Sequence, residues 1–127
     1  ILIFGSGGSA ESALIVLYNF KNLVISSRNE IKGNKLAKKY SIKFITKIQY
    51  KNFNVFINCT PLGSKSEDIL KITMLKLPNK VIDLPYGGKK TPLIQNCVKN
   101  NIPFVDGKLF WSWQAEKQLK EFLKYIK

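Results

Sequence analysis

Short apolar runs alternate along this chain with longer stretches whose apolar residues recur every three or four positions. The short runs favour buried strands, and the longer pattern favours amphipathic helices. The predicted strands are Ile1–Phe4, Leu23–Ser26, Lys43–Ile45, Val55–Asn58, Lys80–Leu84 and Pro103–Val105. Because strands and helices alternate, we expect an α/β domain with a doubly wound, mostly parallel sheet that carries helices on both faces.

The longer stretches predict helices between and after these strands. They run from about Gly8 to Phe20, from Asn29 or Glu30 onward, from Thr91-Pro92 to about Asn100, and from about Leu109 to Tyr125. Their apolar faces hold Ala10, Ala13, Leu14 and Leu17 in the first helix, Leu36, Ala37 and Tyr40 in the second, and Trp113, Leu119, Phe122 and Leu123 in the last. In the third helix, Thr91 is a favourable N-cap and Pro92 suits the first helical position.

A glycine-rich turn, Gly5-Ser6-Gly7-Gly8-Ser9, joins the first strand to the first helix. Gly5 allows a tight reversal, the missing Cβ of Gly7 leaves room for a pyrophosphate, and Ala10 is small enough for close helix–strand packing. The pyrophosphate would meet free N–H groups at the positive end of the helix. This pattern is typical of a dinucleotide site in a Rossmann-like domain, although similar turns also occur without a ligand.

The segment Ser27-Arg28-Asn29 follows the second strand, where an NAD site usually places an acidic residue against the ribose 2′-hydroxyl. No acid lies between Asn22 and Asn29, and Arg28 is the only arginine in the chain. A guanidinium can grip a phosphate through two parallel hydrogen bonds. A helix that starts near Asn29 would place Lys32 on the same face. These residues favour a 2′-phosphate, and the alternative is a solvated basic loop.

Composition limits the other classes of function. The chain has 127 residues, of which 45% are hydrophobic, and this suits one globular domain. It has no His, and its two cysteines, Cys59 and Cys97, are far apart, so we expect buried free thiols and no metal. No apolar run has membrane-spanning length and no signal peptide is visible, so we expect a cytoplasmic protein. The start at Ile1, inside an apparent strand, favours a fragment.

The net charge of +13 makes nucleic-acid binding the obvious non-enzymatic hypothesis. However, the basic residues are spread over the whole chain and fall mostly on predicted helix faces and loops. The many Lys, Ile and Asn residues also suggest a compositional bias. We therefore expect the positive field to attract an anionic cofactor and an anionic substrate, and we regard nucleic acid as the weaker alternative.

Taken in order, several segments resemble motifs of the C-terminal, NADP-binding half of the shikimate dehydrogenase family. The family's G-A-G-G-A loop, N-R-T motif, N-A/T-T-P-x-G loop, D-x-x-Y…T-P-L segment and D-G-L-x-M-L-x-x-Q-A stretch each have a counterpart here. The counterparts are Gly5–Ser9, Ser27–Asn29, Asn58–Gly63, Asp83 with Tyr86 and Thr91–Leu93, and Asp106–Ala115. The first motif is generic, whereas the last three together are specific, and the resemblance spans nearly the whole chain.

The resemblance implies a function and a role for each motif. It implies NADPH-dependent reduction of 3-dehydroshikimate to shikimate, in the route to chorismate and the aromatic amino acids. The cofactor residues would be Gly5, Ser6, Gly7, Gly8 and Ser9 at the pyrophosphate, Ser27, Arg28, Asn29 and Lys32 at the 2′-phosphate, and Thr60, Leu84, Gly107 and Phe110 at the nicotinamide. Tyr86 and Gln114 would reach the substrate, although without the family they suggest only a turn aromatic and an exposed helix residue.

The chain also departs from the family pattern. Ser27 replaces the usual Asn, Ser64 follows Gly63 where Met is usual, and Phe110 stands where Met is common. Trp111 and Trp113 are bulkier than the usual neighbours, so the shape of the nicotinamide pocket stays open. No segment matches the family's N-terminal substrate domain, which carries the catalytic Lys–Asp pair and the serines that hold the substrate carboxylate. We therefore expect no catalytic residue in this chain.

The resemblance makes that N-terminal substrate domain a partner, toward which the last helix would pack. Residues 1–127 would then form one NADP-binding domain that is inactive alone. A homodimer stays open. The alternatives are a quinate-using or other NADP dehydrogenase domain and a non-catalytic, stand-alone module that binds a cofactor or nucleic acid.

Overall fold

The computed structural model describes residues 1–48, 52–65 and 77–126. The strands are β1 (Leu2–Phe4), β2 (Val24–Ser26), β3 (Lys43–Phe44), β4 (Val55–Asn58), β5 (Lys80–Asp83) and β6 (Phe104–Asp106). The helices in these ranges are α1 (Gly8–Leu17), α2 (Glu30–Lys39), α3 (Pro92–Lys99) and α4 (Gly107–Leu123). All six predicted strands are present within a residue or two of their predicted limits.

The strands form a single sheet in the order β3-β2-β1-β4-β5-β6, and every pairing is parallel. This confirms the prediction of a Rossmann-like, doubly wound α/β fold. The register aligns the last residues of the strands, since Phe4 pairs with both Ser26 and Asn58, and Asp83 pairs with both Asn58 and Asp106. The segments that follow these five strands therefore start at one level, along the edge where such sheets bind ligands.

Alternate residues of the strands point to opposite faces and build two cores. On one face, Phe4 and Phe56 pack with Leu93 and Cys97 of α3. On the other face, Ile3 and Ile25 pack against α1 and α2. The predicted inner faces of those helices are confirmed, with Ala10, Leu14 and Ala37 buried and Ala13, Leu17, Leu36 and Tyr40 partly buried.

Two helix limits differ from the prediction. Helix α1 ends at Leu17 instead of Phe20, and the chain turns back through Asn22, whose φ of 62° is left-handed. Helix α4 begins two residues early because the Asp106 side chain caps it, accepting a hydrogen bond of 2.8 Å from the Leu109 N–H. The predicted cap of α3, Thr91, is present, and Asn29, which was not predicted as a cap, caps α2. Each side chain accepts a bond from the third helical residue.

The prediction of apolar anchors on α4 is wrong within this chain. Only Gly107 of this helix is buried, whereas Trp113, Leu119, Phe122 and Leu123 are all at least half exposed. Helix α4 starts directly after β6, and these four apolar residues stay largely uncovered by the rest of the described chain. No helix within the described ranges is both long enough and apolar enough to cross a membrane.

Candidate functional site

Three predicted site segments come together at the carboxyl ends of β2, β1 and β4. They border an open pocket of about 520 Å³. Its lining residues are Gly5, Ser6, Gly7, Ser27, Arg28, Asn29, Cys59, Thr60 and Pro61. The glycine turn, the arginine segment and the loop after β4 thus face one space, although they are separated by tens of residues in the sequence.

The backbone conformation and the packing of the protein require a glycine at the position of Gly5. Its φ of +132° is one that side-chain-bearing residues rarely adopt, and an added Cβ would lie 3.2 Å from the carbonyl carbon and oxygen of Cys59. Hydrogen bonds of 2.8 Å hold the surrounding backbone, from the Gly5 N–H to the Ser26 carbonyl and from the Cys59 N–H to the Phe4 carbonyl. Gly5 therefore lets the glycine turn pack directly against the loop after β4.

Gly7 and Gly8 differ from Gly5, because nothing in the described chain requires a glycine at either position. An added Cβ on Gly7 or Gly8 would meet no heavy atom within 4 Å, and neither residue has a positive φ. Gly7 is the N-cap of α1, and no side chain caps the helix there. The first N–H groups of α1 therefore face open space. Such a cradle fits the pyrophosphate of a dinucleotide, which approaches the backbone and accepts those N–H groups.

The residues that follow β2 differ from one another in burial and in hydrogen bonding. Ser27 is buried, and its hydroxyl donates a 2.7 Å hydrogen bond to the Asn29 carbonyl. Asn29 caps α2 by accepting the Lys32 N–H at 2.9 Å. Arg28 is exposed on the pocket wall, and its guanidinium makes no hydrogen bond or ion pair with another described residue. Arg28 is thus the free cation of this segment.

The expectation that Arg28 and Lys32 share a helix face is wrong, because only Lys32 lies in the helix. Helix α2 begins at Glu30, after the cap, so Arg28 precedes the helix. Lys32 lies in its exposed first turn and is not among the lining residues of the pocket. The i, i+4 argument therefore does not apply to this pair, and a role for Lys32 at a phosphate stays a prediction.

A buried network joins the loop after β4 to the loop after β5. The Asn58 side-chain amide donates to the Asp83 carboxylate at 2.7 Å and to the Leu62 carbonyl at 3.2 Å. On the other side, the Thr91 hydroxyl donates to the second Asp83 oxygen. Thr60 donates both its N–H and its hydroxyl to the Asn58 amide oxygen, at 3.0 and 2.7 Å. The conformation of Thr60, a predicted nicotinamide residue, therefore depends on Asp83.

Asp83 was given no role by the sequence analysis beyond its place in a motif. Its side chain is fully buried, and burial raises the pKa of its carboxyl above the ordinary value. The hydrogen bonds from Thr91 and Asn58 oppose this rise in pKa, while the charge of Asp106 adds to it. The available signal was an acidic residue inside a predicted buried strand, since an Asp in that position needs hydrogen-bond partners.

The two cysteines are free thiols, as expected, but only Cys97 is fully buried. Cys59 is half-buried and lines the pocket. Burial raises the pKa of Cys59 to about 12 and that of Cys97 to about 11. Both shifts disfavour the thiolate, which is the reactive form of a cysteine. In the described ranges, no three His, Cys, Asp or Glu side chains are grouped to hold a metal ion.

A second cavity, of about 650 Å³, lies between α1 and α4, beside β4 and β5. Leu84, Phe110 and Gln114, three predicted site residues, line it together with Gly8 and Ser9. Ile57 and Ile82 also contribute to the lining, which is mainly apolar. The structure therefore places the predicted nicotinamide residues Leu84 and Phe110 next to the predicted substrate residue Gln114.

Tyr86 and Gly107 lie just outside this second cavity. Gly107 is buried beneath the loop after β5, and a Cβ there would clash with the carbonyl oxygens of Leu84 and Pro85. The structural reason for a glycine at this position is therefore close packing against the loop. Tyr86 is exposed, and its ring stacks on Trp111 of α4, with centroids 5.9 Å apart and planes inclined by 26°.

Comparison with known proteins identifies relatives over most of the chain, although no family model matches it. The chain is 30% identical over 121 residues to the shikimate dehydrogenase (NADP(+)) of Pelagibacter ubique, covering 91% of this chain and 46% of that protein. It is also 30% identical over 120 residues to the enzyme of the same name from Methanococcus maripaludis, covering 84% of this chain and 43% of that protein. The chain thus spans about half the length of these curated relatives.

Solved structures show the same fold. The shikimate dehydrogenase of Aquifex aeolicus superposes with a TM-score of 0.82 at 24% identity, over 94% of this chain and 46% of that one. The Thermus thermophilus shikimate 5-dehydrogenase in complex with NADP(H) and shikimate superposes with a TM-score of 0.78 at 17% identity, over 89% and 44%. The curated relatives and these structural neighbours agree, and over about half of their length the chain is similar to shikimate dehydrogenases.

Proposed function

We propose that this chain is the C-terminal, NADP-binding half of a shikimate dehydrogenase-type oxidoreductase. The parent reaction is reversible hydride transfer between NADPH and the carbonyl of 3-dehydroshikimate, which gives shikimate in the cytoplasm. The observation that carries the proposal is the first pocket, where the open glycine turn of α1 and the unpaired Arg28 line one space. This arrangement suits a ligand that carries both a pyrophosphate and a third phosphate.

Different residues of the first pocket would hold different parts of the cofactor. The backbone of Gly5–Ser9 would hold the pyrophosphate, with Gly7 and Gly8 leaving room for it. Arg28 would hold the 2′-phosphate through paired hydrogen bonds. Ser27 and Asn29 shape that corner by ordering the turn into α2, and Lys32 adds positive charge nearby. When bound, NADPH supplies the hydride, and the protein supplies orientation and electrostatics.

The second cavity would take the nicotinamide end and border the substrate. Leu84 and Phe110 would line the ring in this cavity, and Thr60 would approach it from the first pocket. Gly107 lets the start of α4 pack closely against the loop after β5. Gln114 faces the same cavity, and Tyr86 of the loop after β5 stacks on Trp111 of α4, so both would contact a substrate beside the nicotinamide. The exposed apolar residues of α4 would pack against the substrate domain, which would contribute the catalytic Lys–Asp pair.

Calorimetric titration of the 127-residue chain with NADPH and with NADH tests the proposal. We expect NADPH to bind at least about tenfold more tightly, because one charge-assisted interaction contributes about 1.5–3 kcal/mol. Arg28→Ala should remove most of this preference. Arg28→Lys should keep part of it, since Lys keeps the charge but loses the paired geometry.

Lys35→Ala is the matched control, because Lys35 is an exposed cation of α2 that does not line the pocket. It should leave both affinities within about twofold, the spread expected for a surface change. Circular dichroism of each variant confirms that it is folded. Equal affinities of the unmodified chain for the two cofactors would refute the assignment of Arg28.

A further inference from the structure

The stacked pair of Tyr86 and Trp111 links the loop after β5 to helix α4. Both rings are exposed, Tyr86 by 59% and Trp111 by 56%, so neither is held by a surrounding core. Tyr86 makes no hydrogen bond with another described residue, and Gly87 and Gly88 follow it. An added Cβ on Gly88 would meet nothing within 4 Å. The tip of this loop is thus open, and the ring of Trp111 is the contact that orients Tyr86.

Trp111 is well placed to act as a fixed support. It lies one helical turn from Gly107, whose packing beneath the carbonyls of Leu84 and Pro85 ties the start of α4 to the same loop. The Asp106 cap also anchors this first turn, through its 2.8 Å bond from the Leu109 N–H. The indole therefore projects from an anchored helical turn toward a loop residue that lacks other support.

Helix geometry also relates Trp111 to the other predicted substrate residue. Gln114 lies three positions further along α4, so the two side chains are neighbours on one side of the helix. Trp113 is two positions from Trp111 and therefore projects about 160° away around the helix axis. Trp111 thus contacts Tyr86 and lies on the same side of α4 as Gln114, whereas Trp113, with a similar exposure of 54%, projects to the other side.

We propose that Trp111 is a positioning residue for substrate binding, because it holds the ring of Tyr86 beside Gln114. This inference rests on the proposed function. The sequence motif of the family has a smaller side chain at this position, so the aromatic support is a property of this chain. Trp111 touches neither the cofactor nor the reacting atoms in this scheme. Its removal should weaken substrate binding and leave cofactor binding unchanged.

The pairing itself can be tested in the 127-residue chain, without substrate. In a Trp113→Phe background, Trp111 is the only tryptophan, and its near-ultraviolet circular dichroism and fluorescence report on its neighbour. Tyr86→Leu should change both spectra, because it removes the stacked ring. Tyr18→Leu, which removes an exposed tyrosine of the α1 C-cap, is the control and should leave them unchanged. Identical spectra with and without the Tyr86 ring would overturn the pairing.

The role in substrate positioning is tested by the kinetics of the full-length enzyme with NADP⁺ and shikimate. Trp111→Leu should raise the KM for shikimate by about threefold to tenfold, the size expected from loss of an aromatic pair. The KM for NADP⁺ should not change. Trp111→Phe should restore the KM for shikimate, and Trp113→Leu should leave it within about twofold. In a Tyr86→Leu background, Trp111→Leu should have little further effect, because the two residues act as one unit.

Additive effects of the Tyr86 and Trp111 changes would overturn the positioning role, as would equal effects of Trp111→Leu and Trp113→Leu. Failure of the unmodified full-length enzyme to oxidise shikimate would refute the proposed function, and this positioning role with it. The spectroscopic pairing would stand in that case, so the two failures are distinguishable.

Discussion

The side-chain amide of Asn58 donates a 2.7 Å hydrogen bond to the buried carboxylate of Asp83, a residue 25 positions away in the sequence. The two residues end adjacent parallel strands and are partners in the sheet register. Asn58 also accepts two bonds from Thr60, and Asp83 also accepts one from Thr91. A single buried acid therefore connects the loops that border both cavities.

Asp83 should make the stability of the chain depend on pH with an unusual sign for an acid. Its pKa is raised in the folded state, so the folded state binds this proton more tightly than the unfolded state. This stabilisation is fully present below the ordinary pKa of 3.8 and is lost as the pH rises through the higher folded pKa. Asp83→Asn removes the titration and can still accept a bond from Asn58.

We therefore expect the stability of Asp83→Asn, relative to the unmodified chain, to improve as the pH increases from 4 to 7. The gain is about 1.4 kcal/mol for each unit by which the folded pKa is raised. Urea unfolding of both proteins at several pH values measures the difference in their free energies of unfolding. The contributions of the other titrating groups cancel in this difference. A difference that stays constant, or that shifts against the variant as the pH rises, would contradict a raised pKa.

The glycine turn should separate stability from cofactor binding. Gly7→Val should abolish NADPH binding and leave the fold intact, because an added Cβ there meets no protein atom within 4 Å but would fill the space proposed for the pyrophosphate. Gly5→Val should instead destabilise the chain by about 1–3 kcal/mol, through its positive φ and its contact with Cys59. Calorimetry and thermal unfolding measure the two effects. Normal NADPH binding by Gly7→Val would mean that the phosphates are held elsewhere.

The 127-residue chain should bind NADPH without turning over shikimate. General acid–base catalysis typically contributes about 10²–10⁴-fold, and substrate orientation contributes separately. Under the proposed function, the residues that supply both would belong to a substrate domain outside this chain. The measurement is NADP⁺ reduction with shikimate, by the chain alone and by the full-length protein. Only the full-length protein should be active, and robust turnover by the chain alone would show that the catalytic groups are within it.

Local signals in the sequence determined much of the architecture and one side of the candidate site. The alternation of apolar runs and helical periods predicted the strands β1–β6 and the parallel sheet. The spacing of apolar residues within a segment indicates whether that segment is buried as a strand or as one face of a helix. The side-chain cap at Thr91 was predicted, since a cap bonds only to residues of its own helix. The pocket around Gly7 and Arg28 was predictable for a related reason, because parallel strands deliver their following loops to one edge.

Contacts between distant segments were decided only by the tertiary structure. The network of Asn58, Asp83 and Thr91 depends on the sheet register, which no local pattern specifies. The exposure of the apolar residues of α4 depends on where the helix leaves the sheet. The helical period alone predicts an apolar face, but it does not predict whether another surface covers that face. The stacking of Tyr86 on Trp111 depends on both, because it requires α4 to start directly beneath the loop after β5.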